Sequence, residues 1–166
     1  MSEDLNTITL VRKFKITSDN ADDYKRMQRV HKYTAQLVLE NENEMEQVNK
    51  LDDSLIMEMK MDKWPLAVND EFIMTISTKE TPLDKMQESK WHLYYSGHKQ
   101  LVTQTTKEDE YFLIISCGGL QCMLTMNKKD LQPLVDHCGM YFIGITFIDP
   151  ILVASRRMAN TIVPSK

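Results

Sequence analysis

The stretch that decides the fold is YFLIISCGGLQCMLTM, residues 111–126, the longest nearly uncharged run in the chain. Its first arm, Tyr111–Cys117, is rich in aromatic and β-branched residues, which is typical of a buried strand. In the second arm, Leu120–Met126, one of the two alternating sets of positions is wholly apolar, and this two-residue period also predicts a strand. Gly118 and Gly119 separate the two predicted strands.

A Gly-Gly pair between two strands has three common uses. It forms a two-residue hairpin turn, it forms a bulge that bends the sheet, or it lets another backbone or a partner approach closely. A phosphate-binding loop would need further glycines, a Lys-Ser/Thr pair and a following helix. The sequence around Gly118 and Gly119 has none of these, so the turn, the bulge and the contact surface remain as interpretations.

Length and composition indicate an ordinary single-domain protein. The chain has 166 residues, 42% hydrophobic and 27% charged, with a net charge of −4. It contains no run of 18 apolar residues, and its first ten residues do not resemble a signal peptide. Three cysteines, an odd number, argue against a disulfide framework. We therefore expect an intracellular protein in a reducing compartment, with no membrane contact.

Alternating patterns predict strands along most of the chain and almost no amphipathic helix. In Leu55–Asp62 the pattern places Leu55, Met57, Met59 and Met61 on a buried face and Glu58 on a wet one. A turn is expected at residues 96–97, and a loop or single helical turn, stopped by Pro133, at residues 127–135. The other predicted strands are Thr7–Ile16, Tyr24–Glu40, Asp70–Thr78, Trp91–Gly97, His98–Thr106 and Tyr141–Phe147.

Seven or eight short strands without a fixed repeat predict an all-β protein, a closed or nearly closed antiparallel barrel. We place this domain at residues 1–148. It contains an acidic insertion near residues 40–53, and residues 149–166 form a C-terminal extension.

Metal and catalytic chemistry are poorly supported by the residue pattern. The one set that resembles zinc ligands has the spacing C-x4-C followed by an adjacent His-Cys pair, whereas zinc sites favour C-x2-C. The four histidines stand far apart, and each is interpreted as a structural or surface residue. We therefore predict no catalytic residue, no metal site and no cofactor; an enzyme would need a concave cluster of acids or histidines. The zinc-like set is Cys117, Cys122, His137 and Cys138.

Basic and aromatic residues interleave in two segments, VRKFK at residues 11–15 and YKRMQRVHKY at residues 24–33. This mixture can stack bases and contact phosphates on a barrel face. The acidic net charge works against binding by phosphate contacts. The candidate nucleic-acid contacts are Arg12, Lys13, Lys25, Arg26 and Arg29.

The order of these motifs resembles one family, the shared eighth subunit of eukaryotic RNA polymerases I, II and III. SCGGLQCMLTM at residues 116–126 is similar to the family's tyrosine-serine-aromatic-Gly-Gly-Leu-Leu-Met-Arg-Leu block. YKRMQRVH at residues 24–31 resembles its early phenylalanine-x-arginine-valine-x-arginine-x-histidine segment. SLIMEMKMDKWPLAVNDEF, HLYYSGHKQLV and MYFIGI resemble later strands in the same order, so the resemblance spans about residues 14–145.

The resemblance implies an eight-stranded barrel built from two OB-like halves. It further implies a nuclear, non-catalytic subunit that docks on the largest polymerase subunit and contacts other core subunits. We expect an apolar, glycine-relieved surface to make that contact. Its residues would be Ser116, Cys117, Gly118, Gly119 and Leu120.

The chain departs from the family pattern at several positions. Cys117 replaces the aromatic residue before Gly-Gly, and Gln121, Cys122 and Met123 replace Leu-Met-Arg. Asn69 replaces the glycine of an earlier turn. The alternative function is a stand-alone barrel that binds single-stranded nucleic acid.

Overall fold

The computed structural model describes residues 7–19, 30–38, 54–60, 66–82, 85 and 91–162. In these ranges eight strands form a closed antiparallel barrel, which confirms the predicted fold class and is consistent with an OB-like barrel. Around the barrel the order is first, second, third, seventh, sixth, fifth, eighth, fourth, and the fourth strand pairs with the first. The strands are β1 (Thr9–Asp19), β2 (Val30–Leu37), β3 (Ser54–Lys60), β4 (Glu71–Ser77), β5 (Leu93–Gln104), β6 (Glu110–Cys117), β7 (Leu120–Asn127) and β8 (Tyr141–Phe147).

Apolar side chains from alternating positions fill the barrel interior. In β4, Phe72, Met74 and Ile76 are buried, and the residues between them are half-buried. Successive strand residues point to opposite faces, so the alternation predicted from the sequence becomes an inside and an outside. The same holds in β3, where the predicted residues Leu55, Met57 and Met59 are buried. Met61 and Asp62 lie outside the described residues.

Glu58 corrects the prediction that the second face of β3 is fully wet. Its side chain is only 3% exposed. The Oε1 atom accepts a hydrogen bond from the backbone N–H of Gln121 at 2.8 Å. Paired strand contacts between β3 and β7 end at Met57 and Cys122. The carboxylate therefore replaces the next backbone partner and holds the turn end of the β6–β7 hairpin against β3.

The predicted turn at residues 96–97 is wrong, because β5 runs unbroken through it. Gly97 is buried and pairs with Tyr141 of β8. A Cβ atom placed on Gly97 would lie 2.4 Å from the carbonyl oxygen of Ser116 and 2.7 Å from Cys117 Sγ. Glycine is required here for a close approach of β6, which is a different use of glycine from the turn that the sequence suggested.

Helix α1 (Lys128–Asp136) lies in the connection between β7 and β8. It has nine residues with Pro133 inside it, so the prediction of a loop or single turn stopped by that proline is wrong. Asn127 caps the helix, since its side chain accepts a hydrogen bond from the N–H of Asp130 at 2.9 Å. Pro133 is exposed and removes only one backbone donor. The side chains that anchor α1 in the core are Leu131 and Leu134.

The C-terminal extension contains a second helix, α2 (Pro150–Ile162), which the sequence analysis did not predict. Asp149 caps it, because its carboxylate accepts a hydrogen bond from the N–H of Leu152 at 3.1 Å. Val153 is 2% exposed and packs in the core. The Arg156 guanidinium forms two hydrogen bonds with the Asp70 carboxylate, one of 2.8 Å. These bonds raise the pKa of Arg156 and fix the helix on the loop before β4.

Several predictions concern residues that the structure does not describe. The acidic insertion near residues 40–53 and the first part of the predicted strand Tyr24–Glu40 fall outside the described ranges. Neither helix in the described part of the chain is long and apolar enough to span a membrane.

Candidate partner-binding surface

The central Gly-Gly pair forms the two-residue turn of the β6–β7 hairpin. Cys117 pairs with Leu120 directly below it. Gly118 has a φ of 59° and Gly119 a φ of 96°. Two consecutive positive φ angles match the type I′ turn, which suits the twist of a hairpin and favours glycine. The prediction of a hairpin turn is therefore confirmed.

The turn also presents bare backbone at the surface. A Cβ atom built on either glycine would meet no atom within 4 Å. Both glycines are exposed, and Ser116 and Leu120 are half-buried. Four of the five predicted partner residues are therefore accessible at the surface: Ser116, Gly118, Gly119 and Leu120.

Cys117, the fifth predicted partner residue, belongs to the core. Its side chain is 8% exposed and lies close to the backbone of β5 at Gly97. Burial raises the pKa of its thiol to about 11, so the thiol stays neutral at physiological pH. Cys117 therefore supports the hairpin from inside and does not offer its side chain to a partner.

Next to the hairpin, four apolar side chains form a row across the outside of the barrel. Leu101 in β5 pairs with Ile114, Ile114 pairs with Met123, and Met123 pairs with Ile56 in β3. Cross-strand partners share a face of the sheet. Leu101 is 46% exposed, and the other three are half-buried. We call Leu101, Ile114, Met123 and Ile56 the outer row.

The outer row and the hairpin turn are continuous, since Ile114 and Ser116 occupy the same face of β6. The next cross-strand row, from β5 to β3, is also uncharged. It consists of Thr103, Phe112, Thr125 and Ser54. This surface was not predicted from the sequence, although Ile56 and Met123 interrupt the polar half of their alternating patterns, a signal that could have indicated it.

The candidate nucleic-acid residues of β1 do not form a basic patch. Arg12 makes an ion pair with Asp130 of α1 at 3.0 Å. Lys13 makes an ion pair with Glu71 of β4 at 3.3 Å. Adjacent strand residues point to opposite faces, so the two cations also diverge. The remaining candidates, Lys25, Arg26 and Arg29, lie outside the described residues.

A row of aromatic rings lies on another side of the barrel, on β5, on β8 and on the segment just before β5. The rings of Trp91 and Tyr94 stack at 6.5 Å, and those of Tyr94 and Phe142 at 6.4 Å. Gly144 makes room for this row, because a Cβ atom there would lie 2.5 Å from the Trp91 ring. The alternating pattern predicted a strand at Tyr94, but only the pairing of β5 with β8 brings these three rings together.

The zinc-like cysteines and histidine are not gathered into a metal site. Cys122 is buried beside the inner face of β3, and burial also raises the pKa of its thiol. His137 follows α1 and bonds the carbonyl oxygen of Met140 through Nε2 at 3.0 Å. No cluster of three metal-binding side chains occurs in the described part of the chain.

Two further histidines have structural partners. His92 accepts a hydrogen bond from the N–H of Phe147 at 3.0 Å and stacks on that ring at 4.7 Å. His31 lies 3.1 Å from the Asp19 carboxylate across the β1–β2 pair. This acid partner was not predicted, because Asp19 is twelve residues away and becomes adjacent only through strand pairing.

Comparison of the sequence with protein-family models and with curated proteins found no match.

Proposed function

We propose that the protein is a non-catalytic structural subunit of nuclear DNA-directed RNA polymerase. It would be common to polymerases I, II and III and would dock on the largest subunit through the outer row and the β6–β7 turn. The outer row is the observation that carries this proposal. Partly exposed apolar side chains in a continuous patch are typical of an interaction surface. The motif order, which resembles that of the eighth polymerase subunit, supports the choice of the partner.

Two features of the surface suit a tight protein contact. The bare glycines let another backbone approach the turn without meeting a side chain. The outer row lies on paired strands of the barrel, and the hydrogen bond from Gln121 N–H to Glu58 adds a contact beside it. A surface held in this way loses little conformational freedom on binding.

The test compares two variants that place a charge at equally exposed apolar positions. Leu101→Glu changes the outer row, and Val11→Glu changes a residue on β1 that is 51% exposed and lies outside that row. The tagged chains are purified from their native cells, and co-purifying proteins are quantified by mass spectrometry. We expect the wild type and Val11→Glu to recover the largest polymerase subunits in stoichiometric amounts, and Leu101→Glu to lose about tenfold or more.

Circular dichroism and thermal melting check that both variants fold. Absence of polymerase subunits from the wild-type preparation would refute the proposal, and so would full recovery with a folded Leu101→Glu chain. Recovery of more than one largest subunit with the wild type would support a shared subunit.

The second candidate is a stand-alone barrel that binds single-stranded nucleic acid, and the aromatic row favours it. Stacked rings on a sheet face can hold successive bases. The ion pairs of Arg12 and Lys13 leave fewer cations for phosphate on β1. Titration with oligo(dT), followed by tryptophan fluorescence in the wild type and Trp91→Ala, tests it. Salt-sensitive binding that Trp91→Ala abolishes would support this candidate.

A further inference from the structure

The second half of β5 has a backbone edge with which no strand in the described part of the chain pairs. β5 pairs with β8 only as far as Gly97, opposite Tyr141. Beyond this point it pairs with β6 alone, on its other side. A bulge between Lys99 and Leu101 interrupts the regular register. The regular part of the unpartnered stretch is therefore Leu101–Gln104, which we call the β5 edge.

The direction of the backbone groups on this edge follows from the hairpin that joins β5 and β6. The N–H of Thr105 donates to the carbonyl oxygen of Glu110 at 3.1 Å. In an antiparallel pair, successive residues turn their backbone groups alternately toward and away from the neighbouring strand. Thr103 therefore bonds to β6, whereas the N–H and C=O groups of Val102 and Gln104 point away from it. Among the described residues, no backbone group bonds to these outward groups.

The β5 edge is exposed and uncharged. Leu101 is 46% exposed, and Thr103 and Gln104 are also exposed. The hydrogen bonds between α1 and this half of β5 use the side chains of Lys99 and Gln104, so they do not occupy the backbone groups of the edge. Natural edge strands are commonly protected by lysine or proline. Residues 100–106, QLVTQTT, contain neither and carry no charge, so the edge is a template for pairing with another strand.

The pattern of the edge fits a second copy of the same edge. When two copies meet antiparallel about a two-fold axis at Thr103, Val102 of each copy lies opposite Gln104 of the other. Each such pair exchanges two hydrogen bonds, so every outward backbone group of Val102 and Gln104 gains a partner. The two copies of Thr103 face each other, and two threonines form a favourable cross-strand pair. No like charges meet within the edge, because it carries none.

We propose that the protein forms a homodimer in which the β5 edges of two copies pair antiparallel and join the sheets of the two barrels. This pairing places the exposed Leu101 of each copy opposite Thr105 of the partner subunit. The inference concerns the isolated chain. It therefore does not depend on docking to a polymerase.

Sedimentation equilibrium of the purified full-length chain over a range of concentrations tests the proposal. We expect a reversible monomer–dimer equilibrium in the wild type. Thr103→Lys and Thr103→Glu each place two like charges at the axis and should weaken the dimer about tenfold or more. An equimolar mixture of the two variants should regain the dimer, since opposite charges then meet. Ser96→Lys is the matched control, because Ser96 is exposed on the same strand but outside the edge; it should dimerise like the wild type.

Amide hydrogen exchange of the wild type, followed by NMR at low and at high protein concentration, reports the pairing residue by residue. The amides of Val102 and Gln104 should exchange about tenfold or more slowly at the high concentration. The amide of Thr103 is already bonded to β6 and should not change. This measurement needs no variant, so it also decides the matter if circular dichroism shows that the Thr103 variants do not fold.

Three results would overturn the proposal. The first is a wild-type chain that stays monomeric at every concentration. The second is a dimer that persists unweakened in the folded Thr103 variants, since its interface would then lie elsewhere. The third is exchange of the Val102 and Gln104 amides at the same rate at both concentrations.

Discussion

At Gly118 and Gly119 it is the backbone conformation, rather than packing, that requires glycine. Both have positive φ angles, and neither position is crowded. Side chains larger than hydrogen are therefore disfavoured here by backbone strain and not by a clash. Gly97 is the opposite case, because a Cβ atom there would collide with the Ser116 carbonyl.

Replacing both turn glycines with valine should lower the free energy of unfolding by about 2 kcal/mol or more, since β-branched residues tolerate positive φ poorly. Urea denaturation at neutral pH measures the change. Gly118→Asn is the control, because asparagine adopts left-handed conformations readily and is common at this position of the turn. The urea midpoint of this variant should stay close to that of the wild type. A double valine variant with the wild-type midpoint would contradict the assigned turn.

At the scale of single elements, the C-terminal end of helix α1 is capped by a cation from strand β5. Its last turn contains no basic residue. Lys99 of β5 donates from Nζ to the carbonyl oxygens of Val135 at 2.6 Å and His137 at 3.3 Å. These carbonyls carry the negative end of the helix dipole and lack partners within the helix.

Lys99→Met should therefore destabilise the protein by roughly 0.5–1 kcal/mol, because the methionine keeps the length of the chain and loses the charge and the donors. Lys129→Met is the matched control. Lys129 is exposed and lies in the first turn of α1, where a cation is not favoured, so its loss should be neutral or slightly stabilising. Thermal or urea unfolding of both variants measures the difference. An equal effect of the two changes would exclude a specific cap by Lys99.

For the whole molecule, titratable side chains packed in the barrel make stability depend on pH in the alkaline range. Burial raises the pKa of Cys117 from its ordinary value of 9.0 to about 11, and that of Tyr95 from 10.0 to about 12. Both side chains are neutral when protonated, and desolvation of the buried Cys117 and the half-buried Tyr95 disfavours the anion. The folded protein thus retains these protons at a pH where the unfolded chain has lost them.

The free energy of unfolding should be unaffected by Cys117 below about pH 9 and should fall as pH rises from 9 toward 11. Urea denaturation across this range measures the slope. Cys117→Ala removes one of the titrating groups, so its stability should fall less steeply than that of the wild type. Identical slopes for the two chains would contradict the assignment of Cys117 as a buried neutral thiol.

The outer row shows the limit of sequence reasoning about the site. The hairpin turn was one of the interpretations of the sequence because its cause is local, a Gly-Gly pair between two strand patterns. The row was not, since it joins Leu101, Ile114, Met123 and Ile56 from four strands. Register decides which residues become neighbours, and a shift of one residue would place them inside the barrel.

The sequence by itself determined the barrel and its core, because a two-residue period of apolar side chains can be buried only by pairing strands around one interior. It limited the Gly118–Gly119 pair to a hairpin turn, a bulge or a contact surface, and the structure decided for the turn. Tertiary structure decided the rest. The pairing of Arg12 with Asp130 and of Asp70 with Arg156, and the close approach at Gly97, join residues far apart in the chain. No local pattern encodes such contacts, since they arise only when the closed barrel fixes each strand beside its neighbours.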